Sequence, residues 1–169
     1  MLLDLHEIIE MPGESVSFSC ELGTDRFDFP SVVEFISPPY AEGRVVNSAG
    51  ALQLLGEIKT RMLCVCDRCG EQFEMEKTTA LDVPLAAELV DEENPDIFLI
   101  EGDKLDLDEV LGTCFILDMD SKFLCREDCR GLCERCGANL NLGPCSCGPE
   151  IDPRMAVLGQ LLDNIEDNS

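Results

Sequence analysis

Eight cysteines in two stretches of the chain have the spacing that is typical of metal ligands. Six of them lie between Cys125 and Cys147, in the run LCREDCRGLCERCGANLNLGPCSC, and the earlier run VCDRCG repeats its central Cys-x2-Cys-Gly pattern. Such a turn presents two sulfur atoms from one tight loop, and the glycine accepts a left-handed backbone. The predicted metal ligands are Cys66, Cys69, Cys125, Cys129, Cys133, Cys136, Cys145 and Cys147.

The spacing also suggests how the last four of these ligands group. Cys133 and Cys136 occupy one Cys-x2-Cys turn. Cys145 and Cys147 project to the same side if the chain there is extended, and a Gly-Pro pair before them favours a chain reversal. We therefore place these four around one zinc ion.

The remaining candidates are Cys125 and Cys129, which need partners from elsewhere in the chain. The most economical partners are Cys66 and Cys69, which would join a hairpin tip to the C-terminal segment. Other pairings are equally allowed by the sequence. We expect one or two zinc ions with a structural role.

Catalytic chemistry is not indicated by these residues. Four thiolates leave no coordination position for water, whereas catalytic zinc keeps one open. The single histidine, His6, has no matched partner in the sequence, and the chain has no phosphate-binding loop or nucleophile turn. We predict a protein that is not an enzyme, with no catalytic residues and no small-molecule substrate or bound organic cofactor.

We predict that β-strands hold these ligands in position. In residues 52–66 the even-numbered positions share an apolar face that ends at Cys66, and residues 73–83 have the same period of two. The turn that ends at Gly70 would join these strands into a hairpin. Further turn signals, at Pro12-Gly13, Pro38-Pro39 and Gly43, suggest a meander of short antiparallel strands.

Two helices and a linker complete the pattern. Asp106 is a predicted N-cap of a helix over residues 107–117, and Asp152 is a predicted cap of a helix that starts at Pro153. The acidic stretch ELVDEENPD reads as an exposed linker before a short strand at residues 97–100. The isolated Cys20, Cys64 and Cys114 lie on apolar faces and are predicted core residues.

The predicted fold class is α+β. It is mainly an antiparallel β-sheet or partly closed barrel, with two short helices and a C-terminal cysteine-rich zinc module. Residues 1–120 would form an acidic β-rich body that carries the Cys66/Cys69 hairpin. Residues 121–169 would form the zinc module and the C-terminal helix.

The net charge of −23 constrains the partners. A field of that sign repels phosphate backbones and favours basic partners, so contact with RNA is expected to be indirect. The N-terminal MLLDLHEIIEMPG lacks a basic start and is expected to be neither signal peptide nor anchor, with no membrane contact. We therefore expect a cytoplasmic protein, since reduced thiols there favour metal over disulfides.

A longer set of motifs resembles a known family. They are CDRC on a hairpin, CREDCRGLCERCGANLN, a final Cys-x-Cys, and Asp-Pro-Arg at the start of a helix. Together they are similar to the large ribosomal RNA subunit accumulation proteins, also called YceD, over nearly the full chain. The resemblance implies a role in the synthesis, processing or stability of large-subunit (23S) ribosomal RNA, and no catalytic residues.

Two hypotheses follow for the activity. The first is a ribosome-assembly factor whose acidic surface contacts basic large-subunit ribosomal proteins or pre-ribosomal particles. The alternative is a redox-responsive zinc-binding holdase or regulator, in which oxidation expels zinc and forms disulfides. A disulfide oxidoreductase is disfavoured, because no strand-helix pattern of the thioredoxin type follows the Cys66/Cys69 pair.

Overall fold

A computed structural model describes residues 1–86, 97–100 and 102–147. Its strands are β1 (Leu2–Asp4), β2 (Ser15–Glu21), β3 (Val32–Ser48), β4 (Ala51–Val65), β5 (Gln72–Ala86), β6 (Phe98–Leu99) and β7 (Lys104–Asp106). Its helices are α1 (His6–Ile9) and α2 (Leu107–Leu117), and a 3₁₀ turn covers Thr24–Arg26. One sheet has the order β2-β3-β4-β5-β6, and β1 pairs with β7 in a second sheet.

The α+β fold class predicted from the sequence is confirmed. Pairing is antiparallel throughout the larger sheet except between β5 and β6, and the sheet does not close among the described residues. The predicted helix after Asp106 is present as α2, whereas α1 and the β1–β7 pair were not predicted. The predicted helix from Asp152 and the acidic stretch 88–96 lie outside the described residues.

The predicted hairpin of residues 52–83 is confirmed as β4 and β5, which pair from Leu52 with Leu85 to Val65 with Gln72. The even-numbered face of β4 is turned inward, with Leu54, Ile58 and Met62 fully buried. This alternation is the period of two expected when one face of a sheet is covered. The hairpin turn then follows directly after β4, where the first cysteine pair lies.

The predicted turns at Pro38-Pro39 and Gly43 are wrong, because β3 runs through both positions. The register slips between Ser37 and Tyr40, and β2 pairs with β3 only from Tyr40 onward, so the prolines occupy an irregular edge where no ladder donor is needed. Gly43 instead lies opposite Gly56, where a Cβ on Gly43 would come 2.4 Å from the carbonyl oxygen of Leu55. That glycine permits close approach of two strands.

Helix α2 covers the inner face of the large sheet. Its N-cap is Asp106, whose carboxylate accepts a hydrogen bond from the backbone N–H of Asp108 at 3.0 Å. Leu111 and Phe115 are fully buried and share one cluster with residues of the sheet. The three isolated cysteines take the predicted core positions: Cys64 is buried, and Cys20 and Cys114 pack against the main cluster.

The chain forms two compact units, Met1–Cys129 and Arg130–Ser169. Both sheets and both helices belong to the first unit. The first unit also contains Cys125 and Cys129, which we grouped from the sequence with the C-terminal module. Within the described residues, neither helix has the length and apolar composition needed to cross a bilayer.

Candidate metal centres

The eight cysteines predicted as ligands assemble in two groups of four. In each group the sulfur atoms all lie within 4.8 Å of one another, and none of the eleven cysteines is in a disulfide. This is the grouping that the sequence favoured among those it allowed. The first cysteine group is Cys66, Cys69, Cys125 and Cys129, and the second cysteine group is Cys133, Cys136, Cys145 and Cys147.

Both groups contain the same backbone turn. In the first group the N–H of Gly70 donates to the carbonyl of Cys66 and the N–H of Cys66 donates to the carbonyl of Glu71, each at 2.8 Å. Gly70 has a φ of 72°, in the left-handed region that glycine adopts without steric cost. The second turn repeats both bonds at 2.8 Å with Cys133, Gly137 and Ala138, and Gly137 has a φ of 70°.

The first cysteine group combines the tip of the β4–β5 hairpin with the segment after α2. The sulfur atoms of Cys66 and Cys129 are 3.8 Å apart, as are those of Cys69 and Cys125. Sulfur atoms bound about 2.3 Å from one tetrahedral zinc ion are separated by about 3.8 Å, whereas a disulfide bond is only about 2.05 Å long. The geometry therefore fits four ligands around one ion.

The surroundings of the first cysteine group exclude most water. Cys66, Cys69 and Cys129 are 1%, 4% and 3% exposed, and Cys125 is half-buried. Phe73 and Leu124 pack against these cysteines. A largely buried group of this kind fits a structural metal, since four thiolates leave no coordination position for a substrate.

The second cysteine group is more accessible. Cys136 is exposed, and the other three cysteines are half-buried. Asn141 organises the loop around the group, because its side-chain oxygen accepts the backbone N–H of Arg130 at 2.8 Å. The side chain of Asn139 in turn accepts the N–H of Asn141 at 2.9 Å. Asparagines in such turns are a signal that could have identified these two residues from the sequence.

The thiols of the first cysteine group differ widely in pKa. Burial opposes ionisation of Cys66, but backbone N–H groups of Cys125, Cys69 and Arg68 outweigh it and lower the pKa of that thiol to about 6. Burial and the neighbouring sulfur atoms raise the pKa of Cys125 to about 12. The Cys66 thiolate thus opposes ionisation of Cys125 and Cys69, and a bound divalent cation would relieve that repulsion.

The second cysteine group shows the same pattern. Backbone N–H groups of Cys136 and Arg135 lower the pKa of Cys133 to about 6. The Cys136 sulfur, followed by burial, raises the pKa of Cys147 to about 12. Both groups could hold a metal ion, since each brings four soft ligand atoms within 4.8 Å of one another and each has one thiol ready to ionise.

His6 lies apart from both groups of cysteines. Its Nδ1 is 3.0 Å from a carboxylate oxygen of Asp103 at the surface, and this hydrogen bond raises the pKa of the imidazole. The contact is one of several that join the N-terminal segment to the turn before β7, where the N–H of Leu5 also donates to the carbonyl of Asp103 at 2.7 Å. No local sequence pattern indicates this partner, which lies 97 residues away.

Two residues that sequence reasoning missed lie inside the first turn. Asp67 and Arg68 stand between Cys66 and Cys69, and their side chains reach the segment that carries the other two cysteines of the group. In the sequence they look like ordinary exposed charges. Their partners are more than 50 residues away, so no local pattern could have identified the contacts.

Comparison with known proteins gives relatives of low sequence identity. A chloroplastic protein of Arabidopsis thaliana, large ribosomal RNA subunit accumulation protein YCED homolog 1, is 26% identical over 155 residues, covering 72% of this chain and 48% of that protein. An uncharacterised protein of Mycobacterium tuberculosis is 27% identical over 169 residues, covering 95% of this chain and 74% of the relative. The chain thus spans about half the length of the Arabidopsis protein. No solved structure matches the chain.

A family model gives the decisive match. The model described as large ribosomal RNA subunit accumulation protein YceD matches residues 54–162. The matched part is more than half of the chain, and it contains most of β4, all of β5 and both cysteine groups. The chain therefore belongs to the YceD family, which is named for the accumulation of large-subunit ribosomal RNA.

Proposed function

We propose that this protein is a non-enzymatic ribosome-assembly factor that supports the synthesis, processing or stability of 23S ribosomal RNA in the cytoplasm. It acts through contacts with basic ribosomal proteins or pre-ribosomal particles, and its contact with the RNA is indirect. The observation that carries this proposal is the family match over residues 54–162. The name of the Arabidopsis relative refers to the same RNA.

The two cysteine groups have a structural role in this proposal. Each binds one zinc ion through four thiolates, and the closed ligand set supplies stability without a position for catalysis. Zinc is favoured because four cysteine sulfur atoms close enough to share one ion match its preferred ligands. The functional surface then lies on the acidic body that the first centre helps to hold together.

An acidic groove near the N-terminus is the part of that body best suited to a basic protein. It has a volume of about 410 Å³, and its lining combines three carboxylates and the imidazole of His6 with apolar side chains (Asp4, Glu7 and Glu14; Ile8, Met11 and Val16). Lys and Arg side chains have apolar stems and charged ends. Such a groove can therefore receive both parts of a basic side chain, and the net charge of −23 adds long-range attraction.

Recovery from lysate tests the proposal. Tagged full-length protein is isolated at low salt, and bound proteins and precursor ribosomal RNA are identified. We expect large-subunit ribosomal proteins that are released as salt rises, because screening weakens contacts between exposed charges. Recovery of neither large-subunit proteins nor precursor RNA would refute the proposal.

A matched pair of variants locates the contact. Glu7→Gln with Glu14→Gln removes two charges from the groove, whereas Glu21→Gln with Glu76→Gln removes two from the large sheet. We expect the first pair to reduce recovery of basic proteins several-fold and the second to leave it near the level of the unchanged protein. Equal losses would mean that total charge, and not the groove, determines binding.

One observation favours a second candidate function. Cys136 is exposed, and the adjacent Cys133 has a pKa lowered to about 6, so the second cysteine group contains an accessible thiol and a ready thiolate. These are the properties of a redox-responsive zinc-binding holdase or regulator. Peroxide treatment should then release zinc and increase binding of unfolded client proteins. Zinc retention with unchanged client binding would exclude this candidate.

A further inference from the structure

Asp67 joins the first turn to the chain just before Cys125. Its backbone N–H donates to the carbonyl of Phe123 at 2.8 Å, and its carboxylate accepts the N–H of Phe123 at 2.7 Å. The other carboxylate oxygen accepts the hydroxyl of Ser31 at 2.6 Å. One side chain therefore connects three separate parts of the first unit.

Phe123 is fixed by its ring as well as by its backbone. It is 5% exposed and shares a buried cluster with Met62 and Cys64 of β4. The sulfur ligand Cys125 follows two residues later. Because both the ring and the backbone of Phe123 are held, the position of Cys125 is restricted before any metal binds.

Arg68 makes the corresponding contacts at the other end of the segment. Its Nη1 donates to the carbonyl of Cys129 at 2.9 Å and approaches the carbonyl of Glu127 at 3.4 Å. Its backbone N–H is also one of the groups that stabilise the Cys66 thiolate. The guanidinium thus holds the backbone of one ligand while its own main chain supports another.

We propose that Asp67 and Arg68 are positioning residues that preorganise the first cysteine group for metal. The two halves of this group are far apart in sequence, so bringing them together has a large entropic cost. The hydrogen bonds of Asp67 and Arg68 offset part of that cost in the metal-free protein. Outer contacts of this type typically change metal affinity about 10- to 100-fold. The inference rests on metal binding by the first group under the proposed function.

The test measures zinc affinity of the full chain by competition with a chromophoric chelator under reducing conditions. The starting protein carries Cys145→Ser with Cys147→Ser, so that only the first group can bind with four ligands. In this background we expect Asp67→Ala, and separately Arg68→Ala, to weaken zinc binding about 10- to 100-fold. The matched control is Asp128→Ala, since Asp128 lies between two ligands but its side chain is 85% exposed.

A conservative variant separates positioning from charge and from folding. In Asp67→Asn the amide can still accept the N–H of Phe123 and donate to the Ser31 hydroxyl, so we expect affinity within a few-fold of the starting protein. If Asp67→Ala fails to fold, faster loss of zinc from Arg68→Ala than from Asp128→Ala supports the positioning role, and equal loss contradicts it. Equal affinity and equal zinc loss in every variant would overturn the inference.

The same measurement distinguishes this inference from the proposed zinc role. If the starting protein binds no zinc, the proposed metal centre itself is wrong. If it binds zinc and Asp67→Ala binds equally well, only the positioning role is wrong. Equal weakening at the first and second groups in the otherwise unchanged chain would indicate a general loss of structure, and that result would also overturn the positioning role.

Discussion

The first cysteine group lies at the end of a long hairpin in a unit with a large apolar core, whereas the second lies in a unit whose described residues, 130–147, bury no apolar side chain. Their Cys-x2-Cys-Gly turns have the same backbone hydrogen bonds. The difference lies in the second cysteine pair and in what surrounds it. The same Cys-x2-Cys-Gly turn can therefore contribute differently to the stability of the unit that contains it.

Removal of metal should produce the largest difference between the two cysteine groups. We expect a strong chelator to abolish amide protection in residues 130–147, because metal binding of about 10 kcal/mol or more is the folding free energy of such a module. Strands β2 to β5 should stay protected, since their core contains no metal ligand. Hydrogen exchange with and without chelator measures both. Loss of protection in β3 at the same chelator concentration would contradict the comparison.

The second-largest effect is expected when ligands of the first cysteine group are removed. Cys66→Ser with Cys69→Ser should lower its free energy of unfolding by more than about 4 kcal/mol, a size associated with loss of a buried metal site. The matched change, Cys133→Ser with Cys136→Ser, should leave that unfolding transition nearly unchanged. Chemical denaturation followed by a probe of the large sheet tests this. Equal destabilisation by both pairs would show that the two groups are energetically coupled.

The two cysteine groups should also differ in thiol accessibility, but this effect is smaller than the two above. In reduced, metal-free protein we expect Cys136 to be alkylated at least about tenfold faster than Cys66, which corresponds to about 1.4 kcal/mol of local opening free energy. Cys136 is exposed, whereas Cys66 is 1% exposed. Mass spectrometry of timed alkylation resolves the two sites. Similar rates would mean that the first group opens without its metal.

The smallest effect should come from the loop of the second group. Asn141→Ala removes the acceptor of the Arg130 N–H, a hydrogen bond of about 1 kcal/mol, and should weaken zinc binding at that group only a few-fold. Leu142→Ala is the control, because Leu142 is 84% exposed. Zinc competition in the Cys66→Ser, Cys69→Ser background measures both. A loss larger than that for Asp67→Ala at the first group would reverse the comparison.

For Lys77, sequence periodicity predicts the direction of the side chain but not its partners. Its position in the alternation predicts an inward side chain, and in the structure it is 14% exposed. Its charge is accommodated by Asp118 at 3.2 Å and Asp120 at 3.4 Å, which follow α2. The strand pattern identified the direction of this side chain. It could not identify the acidic partners, because they come from a distant segment.

Features that depend on near neighbours were predictable from the amino-acid sequence. These are the ligand candidates, the two Cys-x2-Cys-Gly turns, the alternating β4–β5 hairpin and the Asp106 cap of α2, all of which follow from backbone geometry over a few residues. They also carried the resemblance that the family match confirmed.

The folded structure determines which distant parts of the chain meet. It selected Cys125 and Cys129 as partners of the first turn, held them through Asp67 and Arg68, and carried β3 through a Pro-Pro pair that reads locally as a turn. The physical reason is that these outcomes depend on contacts between segments separated by long loops. Their free energy comes from packing and hydrogen bonds that no local propensity records.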